Sequence, residues 1–170
     1  MAINVNFGGP ILASSTYING TAVQRDVKFT LPEAAVQTAE INAMGTHEVP
    51  MKGRFDAMEH TCTFDRFDSV VAQAYEPNAS TIEHRWVQEE IGPDGAEHEV
   101  GYKAFIRGVS KSAYPSGDVE AGNTPEYELK RSVSSIFLYR EGKEILAIDR
   151  FNQTYRINGK DCYRSIEQYL

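Results

Sequence analysis

The chain has 170 residues, with 17 Lys and Arg against 24 Asp and Glu, and a formal net charge of −7. Its length fits one ordinary domain, and 41% hydrophobic with 24% charged residues is typical of a soluble globular protein, not of a disordered or membrane-embedded chain. The acidic excess also argues against a groove that grips nucleic acid through its phosphates.

Targeting signals and cysteines restrict the compartment. The start, Met1 to Asn6, has neither a basic n-region nor an apolar h-region, so we predict no signal peptide. No apolar run approaches the roughly 18 residues that a membrane-spanning helix needs. Cys62 and Cys162 are too few for a disulfide framework or a structural zinc site. These features predict a protein of the reducing cytoplasm.

The first half of the chain alternates in the manner of β-strands. Alternation of apolar and polar residues predicts three strands, at 27–31, 35–41 and 58–64. The buried face of the third strand is predicted to hold Met58, His60, Cys62 and Phe64. Asp68 is placed to cap a short helix over 69–75, which Pro77 prevents from continuing.

The second half is predicted as a run of hairpins. Strands are expected at 82–91, 100–110, 127–139, 144–151 and 155–157. The turns between them are marked by Gly92-Pro93-Asp94-Gly95, Glu141-Gly142 and Asn158-Gly159. A loop spans 114–125, and the tail 161–170 is compatible with a short helix. The pattern predicts a single, mainly β domain over 1–170, with two packed antiparallel sheets (a sandwich or barrel), one flanking short α-helix and a long extended inter-strand arm.

The long arm lies at 43–57, between the second and third strands. It holds methionine, valine and phenylalanine side chains but shows no clean period, and a connection of this length is usually functional or disordered. Disordered segments are depleted in large apolar side chains, whereas flexible thioethers suit docking onto another surface. We therefore predict that the arm contacts another surface, with an arm folded over its own core as the alternative.

Acidic residues are concentrated in the middle of the chain. Residues 83–128 carry ten acids against four bases, and residues 129–170 carry eight bases against five acids. The ordinary explanation is solvated strand faces and turns. The alternative is a surface with an acidic and a more basic side, which repels a polyanion or pairs head-to-tail with another copy.

Candidate catalytic and metal-binding residues are few. His60 and Cys62 share a strand face, but two ligands do not make a zinc site, and nothing around Cys62 resembles a nucleophile turn. Asp65 and Asp68 are a candidate acid and base, although helix capping accounts for Asp68. The glycines lie singly in turns instead of forming a phosphate-binding loop. The sequence predicts no active site, metal or cofactor, and long hairpins with exposed edges favour a protein that assembles.

Two C-terminal segments carry a resemblance: Gly142 to Asn152, GKEILAIDRFN, and Tyr155 to Asp161, YRINGKD. They resemble the C-terminal signature of major tail tube proteins of contractile-tailed phages. That family includes tubes of phage-derived bacteriocins, and its fold is similar to that of the type VI secretion tube protein. The remaining order agrees, with Thr30-Leu31-Pro32 after the first strand, then the arm, then a late hairpin. The resemblance covers most of the chain, from about residue 20 onward.

The resemblance implies a structural protein and not an enzyme. Six copies would close into a ring, rings would stack into a hollow tube, and strands of all subunits would join into one inner barrel. Its partners would be copies of itself, a tail sheath protein outside, a tape measure protein inside, and the baseplate and tail terminator at the ends. The protein would belong to the virion tail, assembled in the host cytoplasm without binding membranes.

The resemblance also implies roles for particular residues. It assigns the arm to contacts between subunits and rings, with the candidates Met44, Gly45, His47, Val49, Met51 and Phe55. DNA would pass through the lumen unbound, because a negatively charged wall repels phosphates. The candidate lumen acids are Glu83, Glu89, Glu90, Glu97, Glu99, Glu126 and Glu128. In a headless bacteriocin, ions would pass instead, and the resemblance covers both kinds of particle.

Two other classes of function stay open. A monomeric β-sandwich that binds carbohydrate or peptide is the main alternative, because Trp86 and the nine tyrosines can form aromatic platforms. A small hydrolase that uses Asp65, Asp68 or Cys62 is the third class. Only the tail tube predicts rings or tubes of the purified protein.

Overall fold

The structure, a computed structural model, describes residues 5–170. The prediction that the chain begins without a signal peptide falls mainly on residues outside this range. Strands make up 59% and helices 5% of the structure, in two antiparallel sheets with two short helices and no closed barrel among the described residues. The predicted mainly β fold with two antiparallel sheets is therefore confirmed.

The chain forms twelve strands and two helices in the described range. The first strands are β1 (Phe7–Ile18), β2 (Thr21–Arg25), β3 (Lys28–Thr30), β4 (Val36–Asn42), β5 (Thr46–Phe55) and β6 (Met58–Phe64). Helix α1 is Ser69–Gln73. The strands after it are β7 (Ser80–Ile91), β8 (Glu97–Ser110), β9 (Tyr127–Arg140), β10 (Lys143–Asp149), β11 (Thr154–Ile157) and β12 (Lys160–Asp161). Helix α2 is Arg164–Glu167.

The larger sheet branches at β9. Its continuous order is β12-β11-β10-β9-β8-β7-β1-β2. One edge of β9 pairs with β8, while the other edge pairs with β6 near its start and with β10 near its end. β6 also pairs with β3, and this pair folds over the sheet, so that the Phe29 ring stacks 3.9 Å from the His84 ring of β7. One side of β7 is thereby covered.

Two apolar clusters fill the space between the layers. The first includes Ile18, Cys62, Phe64, Val71, Ile82 and Leu129. The second consists of Phe55, Met58, Ile106, Val133, Ile136 and Ile148. The face predicted for β6 is confirmed, since Met58, His60, Cys62 and Phe64 are all buried. Burying one such apolar side chain contributes about 1.5–3 kcal/mol, so these clusters hold the layers together.

Both helices are short. Asp68 caps α1 as predicted, because its Oδ1 accepts hydrogen bonds from the backbone N of Val70 at 3.0 Å and of Val71 at 2.9 Å. Such a cap contributes about 1 kcal/mol, and Val71 then inserts into the first cluster. Helix α2 confirms the short helix expected in the tail. Among residues 5–170, no helix has the length and apolar character to cross a bilayer.

Two parts of the sequence-based description need correction. The extended arm predicted at 43–57 is one strand of a hairpin, because β5 occupies most of it and pairs with β4 in a separate two-stranded sheet. A turn at Met44 and a left-handed residue at Gly53 interrupt the alternation that would have revealed this strand. The other correction is β1, a twelve-residue strand where no element was predicted. Its Gly8-Gly9-Pro10 stretch and its small residues conceal the strand pattern.

Candidate functional site

The β4–β5 hairpin is an amphipathic ribbon. Side chains alternate across paired strands, and the register places Ala39 opposite Val49 and Ile41 opposite His47 on one face. The other face holds Thr38, Glu40, Thr46 and Glu48. Ile41 is 48% and Val49 is 37% exposed, so the apolar face has no cover within the described residues. We call the residues Ala39, Ile41, His47 and Val49 the apolar face of the hairpin.

The tip of the hairpin presents a methionine to solvent. Met44 has φ 54° and Gly45 has φ 131°, and the N–H of Ala43 donates to the carbonyl of Gly45 at 3.0 Å. The Met44 side chain is wholly exposed, although a non-glycine residue in the left-handed region is uncommon. A flexible thioether at the end of an exposed ribbon is suited to filling an irregular gap in another surface.

The base of the hairpin is anchored in the core. Phe55 lies opposite Val36 and its ring meets that of Tyr155 edge-on, at 5.1 Å. Phe55 is only 8% exposed, so in the single chain it packs in the core at the base of the hairpin. Met51 is half-buried near the base, whereas Met44, Gly45, His47 and Val49 are exposed.

The side of β7 and β8 opposite to the covered one carries four of the candidate lumen acids. The pairing of β7 with β8 is regular throughout, with Glu89 opposite Glu99, so odd-numbered residues of both strands share one side. We call this side, with residues 83–91 and 97–107 at odd positions, the open face. Its candidate acids are Glu83, Glu89, Glu97 and Glu99. Like charges directly opposite each other destabilise a sheet, so Glu89 and Glu99 lower the stability of the pairing between β7 and β8.

Basic residues outnumber acidic ones in the middle of the open face, where Glu83 lies among Arg85, Lys103 and Arg107. Glu83 is 8% exposed, and its Oε1 contacts Nε of Arg85 at 2.5 Å and Nζ of Lys103 at 3.7 Å. The Arg85 guanidinium lies 4.4 Å from the centre of the Tyr17 ring. Among the described residues, no Lys or Arg forms an ion pair with Glu89, Glu97 or Glu99. The uncompensated negative charge of the open face is therefore at its end, beyond Arg85.

The other three candidate acids lie elsewhere. Glu90 projects from the opposite side of β7, where it accepts two hydrogen bonds from Nη2 of Arg140, at 2.8 and 2.9 Å. The Arg140 hydrogen bond lowers the pKa of the Glu90 carboxyl below its ordinary value. Glu126 lies in the loop before β9, and Glu128 on β9 is opposite Thr63 of β6. None of these three is on the open face.

His60 and Cys62, the candidate metal ligands, both lie in the core. Burial raises the pKa of the Cys62 thiol to about 12, so this sulfur stays protonated. His60 and His84 are buried with their Nε2 atoms 3.0 Å apart. Within residues 5–170, no group of three or more His, Cys, Asp or Glu is arranged to hold a metal ion. The Trp86 ring is buried and stacked 5.3 Å from the Tyr102 ring, so it offers no exposed platform.

Sequence reasoning missed two groups of residues. Ala39 and Ile41 belong to the apolar face of the hairpin, and their alternation with Thr38 and Glu40 was the available signal. The second is Arg131, which is wholly buried and donates from Nη2 to the carbonyls of Ser80 and Gly108, each at 2.6 Å. Arg131 stands at a position of β9 where the alternation of the strand predicts a buried apolar residue, and this was the signal in the sequence.

Comparison with known proteins adds to this geometry. Residues 11–170 match the family model of phage tail tube protein FII. A search of curated proteins gives no match. The matched range contains both strands of the hairpin and the whole open face, which confirms the resemblance carried by the C-terminal segments and supports a structural role in a phage tail. The chain therefore belongs to the phage tail tube protein FII family.

Proposed function

We propose that this protein assembles with copies of itself into hexameric rings, which stack into the hollow inner tube of a contractile tail. The uncovered apolar face of the hairpin carries this proposal. An isolated two-stranded ribbon is marginally stable in water, and exposed apolar surface of this kind marks an interaction site. A neighbouring subunit that covers the ribbon would stabilise it and drive association through the same contact.

The parts of the hairpin have different roles in this proposal. Ile41 and Val49 provide apolar area, and Met44 at the tip adapts to the surface of the neighbour. Gly45 permits the turn, because its φ of 131° is strained for any other residue. The sheath protein would lie outside the tube, the tape measure protein inside it, and the baseplate and tail terminator at its ends.

The open face is proposed as the wall of the lumen. It lies on the long antiparallel strands β7 and β8, which have 12 and 14 residues. Joining such sheets between copies makes a cylinder lined by one side of every strand. Glu89, Glu97 and Glu99 then supply the unpaired negative charge that keeps DNA phosphates from binding. In the middle of the wall Arg85, Lys103 and Arg107 outnumber Glu83, so the repulsion is confined to the end that carries Glu89, Glu97 and Glu99.

Electron microscopy of the purified protein at high concentration tests this function. Rings or tubes of the width of a phage tail core are the expected result, because the hairpin needs a neighbour. A species that stays strictly monomeric at every concentration contradicts the proposal and favours a monomeric ligand-binding sandwich. A salt titration separates the contribution of apolar contacts to assembly from that of surface charges. Apolar contacts persist at an ionic strength that screens surface charges.

Charge reversal on the open face tests the lumen assignment. In a genome-carrying particle, Glu89→Lys, Glu97→Lys and Glu99→Lys together should slow DNA ejection at least about tenfold, because the wall then attracts phosphates. Ejection is measured in vitro after triggering the tail. Glu76→Lys, Glu120→Lys and Glu126→Lys together are the control with the same change of charge, since these three exposed acids lie in loops and not on β7 or β8. Equal ejection by the two variants would show that the open face does not line the DNA path.

A further inference from the structure

The hairpin bends at a bulge near its base. Between the pair Val36 and Phe55 and the pair Thr38 and Pro50, β4 has one residue and β5 has four. The additional residues of β5 include Gly53, which has φ 75°. Because a bulge bends its strand and redirects the chain on either side, the segment 51–54 sets the direction in which the exposed ribbon leaves the body of the protein.

An aromatic ring from the C-terminal tail lies against this bulge. A β-carbon built on Gly53 would be 2.6 Å from Cε2 of Tyr163, and the three nearest atoms all belong to the Tyr163 ring. Gly53 is thus required twice, by its positive φ and by the approach of the ring. A cavity of about 370 Å³ lies beside this contact, with Gly53 and Tyr163 both in its lining.

Tyr163 is itself held by the larger sheet. Oδ1 of Asp161 accepts hydrogen bonds from the backbone N of Tyr163 at 2.8 Å and of Arg164 at 3.1 Å. The N–H of Cys162 donates to the carbonyl of Tyr155 in β11 at 2.8 Å. The tail therefore connects the sheet to the one point at which the hairpin bends.

We propose that Tyr163 is a positioning residue for assembly, which fixes the angle of the hairpin through its contact with Gly53. This inference rests on the proposed docking role of the hairpin. The ribbon beyond the bulge is five residues long in β4, or about 16 Å at about 3.3 Å per residue. A change of about 10° at the bulge would move its tip by about 3 Å, which is enough to misplace a packed contact. In a helical assembly, the same change recurs at every subunit and alters the twist.

The test compares three variants at the contact with one control in the same tail. Tyr163→Ala removes the ring, Gly53→Ala pushes against it, and Tyr163→Phe keeps it. We expect the first two to fold as monomers and to assemble into tubes of altered helical twist, with the concentration needed for assembly raised about tenfold or more. Tyr163→Phe and the control Tyr169→Ala, at a tyrosine that is 83% exposed, should match the parent protein in both measurements.

The helical twist from cryo-electron microscopy separates positioning from simple stabilisation, because a merely stabilising residue leaves the twist of any tubes unchanged. A parental twist in the tubes of both Tyr163→Ala and Gly53→Ala would overturn the inference, whatever their assembly concentration. Unfolding of both monomers would overturn it as well, in favour of a purely structural contact. Ile41→Ser with Val49→Ser serves as the reference: if that variant also assembles normally, the docking role of the hairpin fails, and not only the role of Tyr163.

Discussion

Replacing both Ile41 and Val49 with serine should leave a folded monomer that forms no tubes at the concentration at which the parent protein assembles, which is the largest effect that we expect on assembly. Both side chains lie on the uncovered apolar face of the hairpin, so their truncation removes nothing from the core. Because Ile41 is 48% and Val49 is 37% exposed, completing the burial of each against a neighbour contributes about 1 kcal/mol. Losing both at one interface raises the concentration needed for assembly at least about tenfold. Size-exclusion chromatography and electron microscopy measure the loss of tubes.

The opposite face of the same ribbon provides the matched control. Glu40→Gln with Glu48→Gln changes two residues that stand directly opposite each other, and it removes a repulsion between like charges. This variant should assemble as well as the parent protein or better. Thermal unfolding of both variants checks that the monomers stay folded, within a few degrees of the parent Tm, as is usual for exposed substitutions. Tubes formed by the serine variant at parental concentration would show that the apolar face is not an interface.

Strand alternation was a sufficient guide wherever one face of a strand is covered. β6 shows this, because burial falls on every second residue from Met58 to Phe64, and this is the pattern that the sequence displays. β1 is also paired within the sheet, but its register with β7 shifts twice between Gly8 and Ala13. Such irregularities have no period, so an element built on them is visible only once its partner strand is in place.

The hairpin and the open face show a second limit of sequence reasoning. Alternation already places Glu89 and Glu90 on opposite sides of β7, but it does not say which side is covered. That is decided by a distant contact, the stacking of the Phe29 ring on His84. Composition was enough to name Met44, His47 and Val49 as docking candidates. Alternation put Ile41 on one face of β4, but only the pairing of β4 with β5 brings it to the same face as His47 and Val49.

Acid should destabilise the monomer well before its carboxylates titrate, because of two buried imidazoles. Nε2 of His60 lies 3.0 Å from Nε2 of His84, and Nδ1 of His84 lies 2.8 Å from Oγ1 of Thr16. Burial lowers the pKa of His60 to about 3 and that of His84 to about 2, and the charge of buried Arg131 contributes to both shifts. The folded protein therefore keeps both rings neutral across the range in which an unfolded chain protonates them.

Proton uptake by the unfolded chain gives the effect its sign. An unfolded histidine has a pKa of about 6.5, so between pH 6.5 and the lowered values the unfolded state binds more protons. The contribution of these histidines to the free energy of unfolding is therefore complete above pH 6.5 and decreases as the pH falls. Each histidine accounts for about 2 kcal/mol between pH 7.5 and 5.0, or about 4 kcal/mol for the pair. Urea denaturation at both pH values, at concentrations too low for assembly, measures this loss.

Single substitutions test whether this loss of stability comes from the pair His60 and His84. His60→Gln removes one of the two titrating rings and should reduce the loss between pH 7.5 and 5.0 to about 2 kcal/mol, whatever its effect on stability at pH 7.5. His98→Gln, at an exposed histidine of β8, should leave the loss at its parental value. The quantity compared is the change in the free energy of unfolding between the two pH values. A cavity or a lost hydrogen bond in His60→Gln lowers the stability equally at both pH values and therefore cancels. A free energy of unfolding that is constant over this range would mean that the imidazole pair is hydrated or charged in the folded protein, and that the interface between the two layers is open to water at His84.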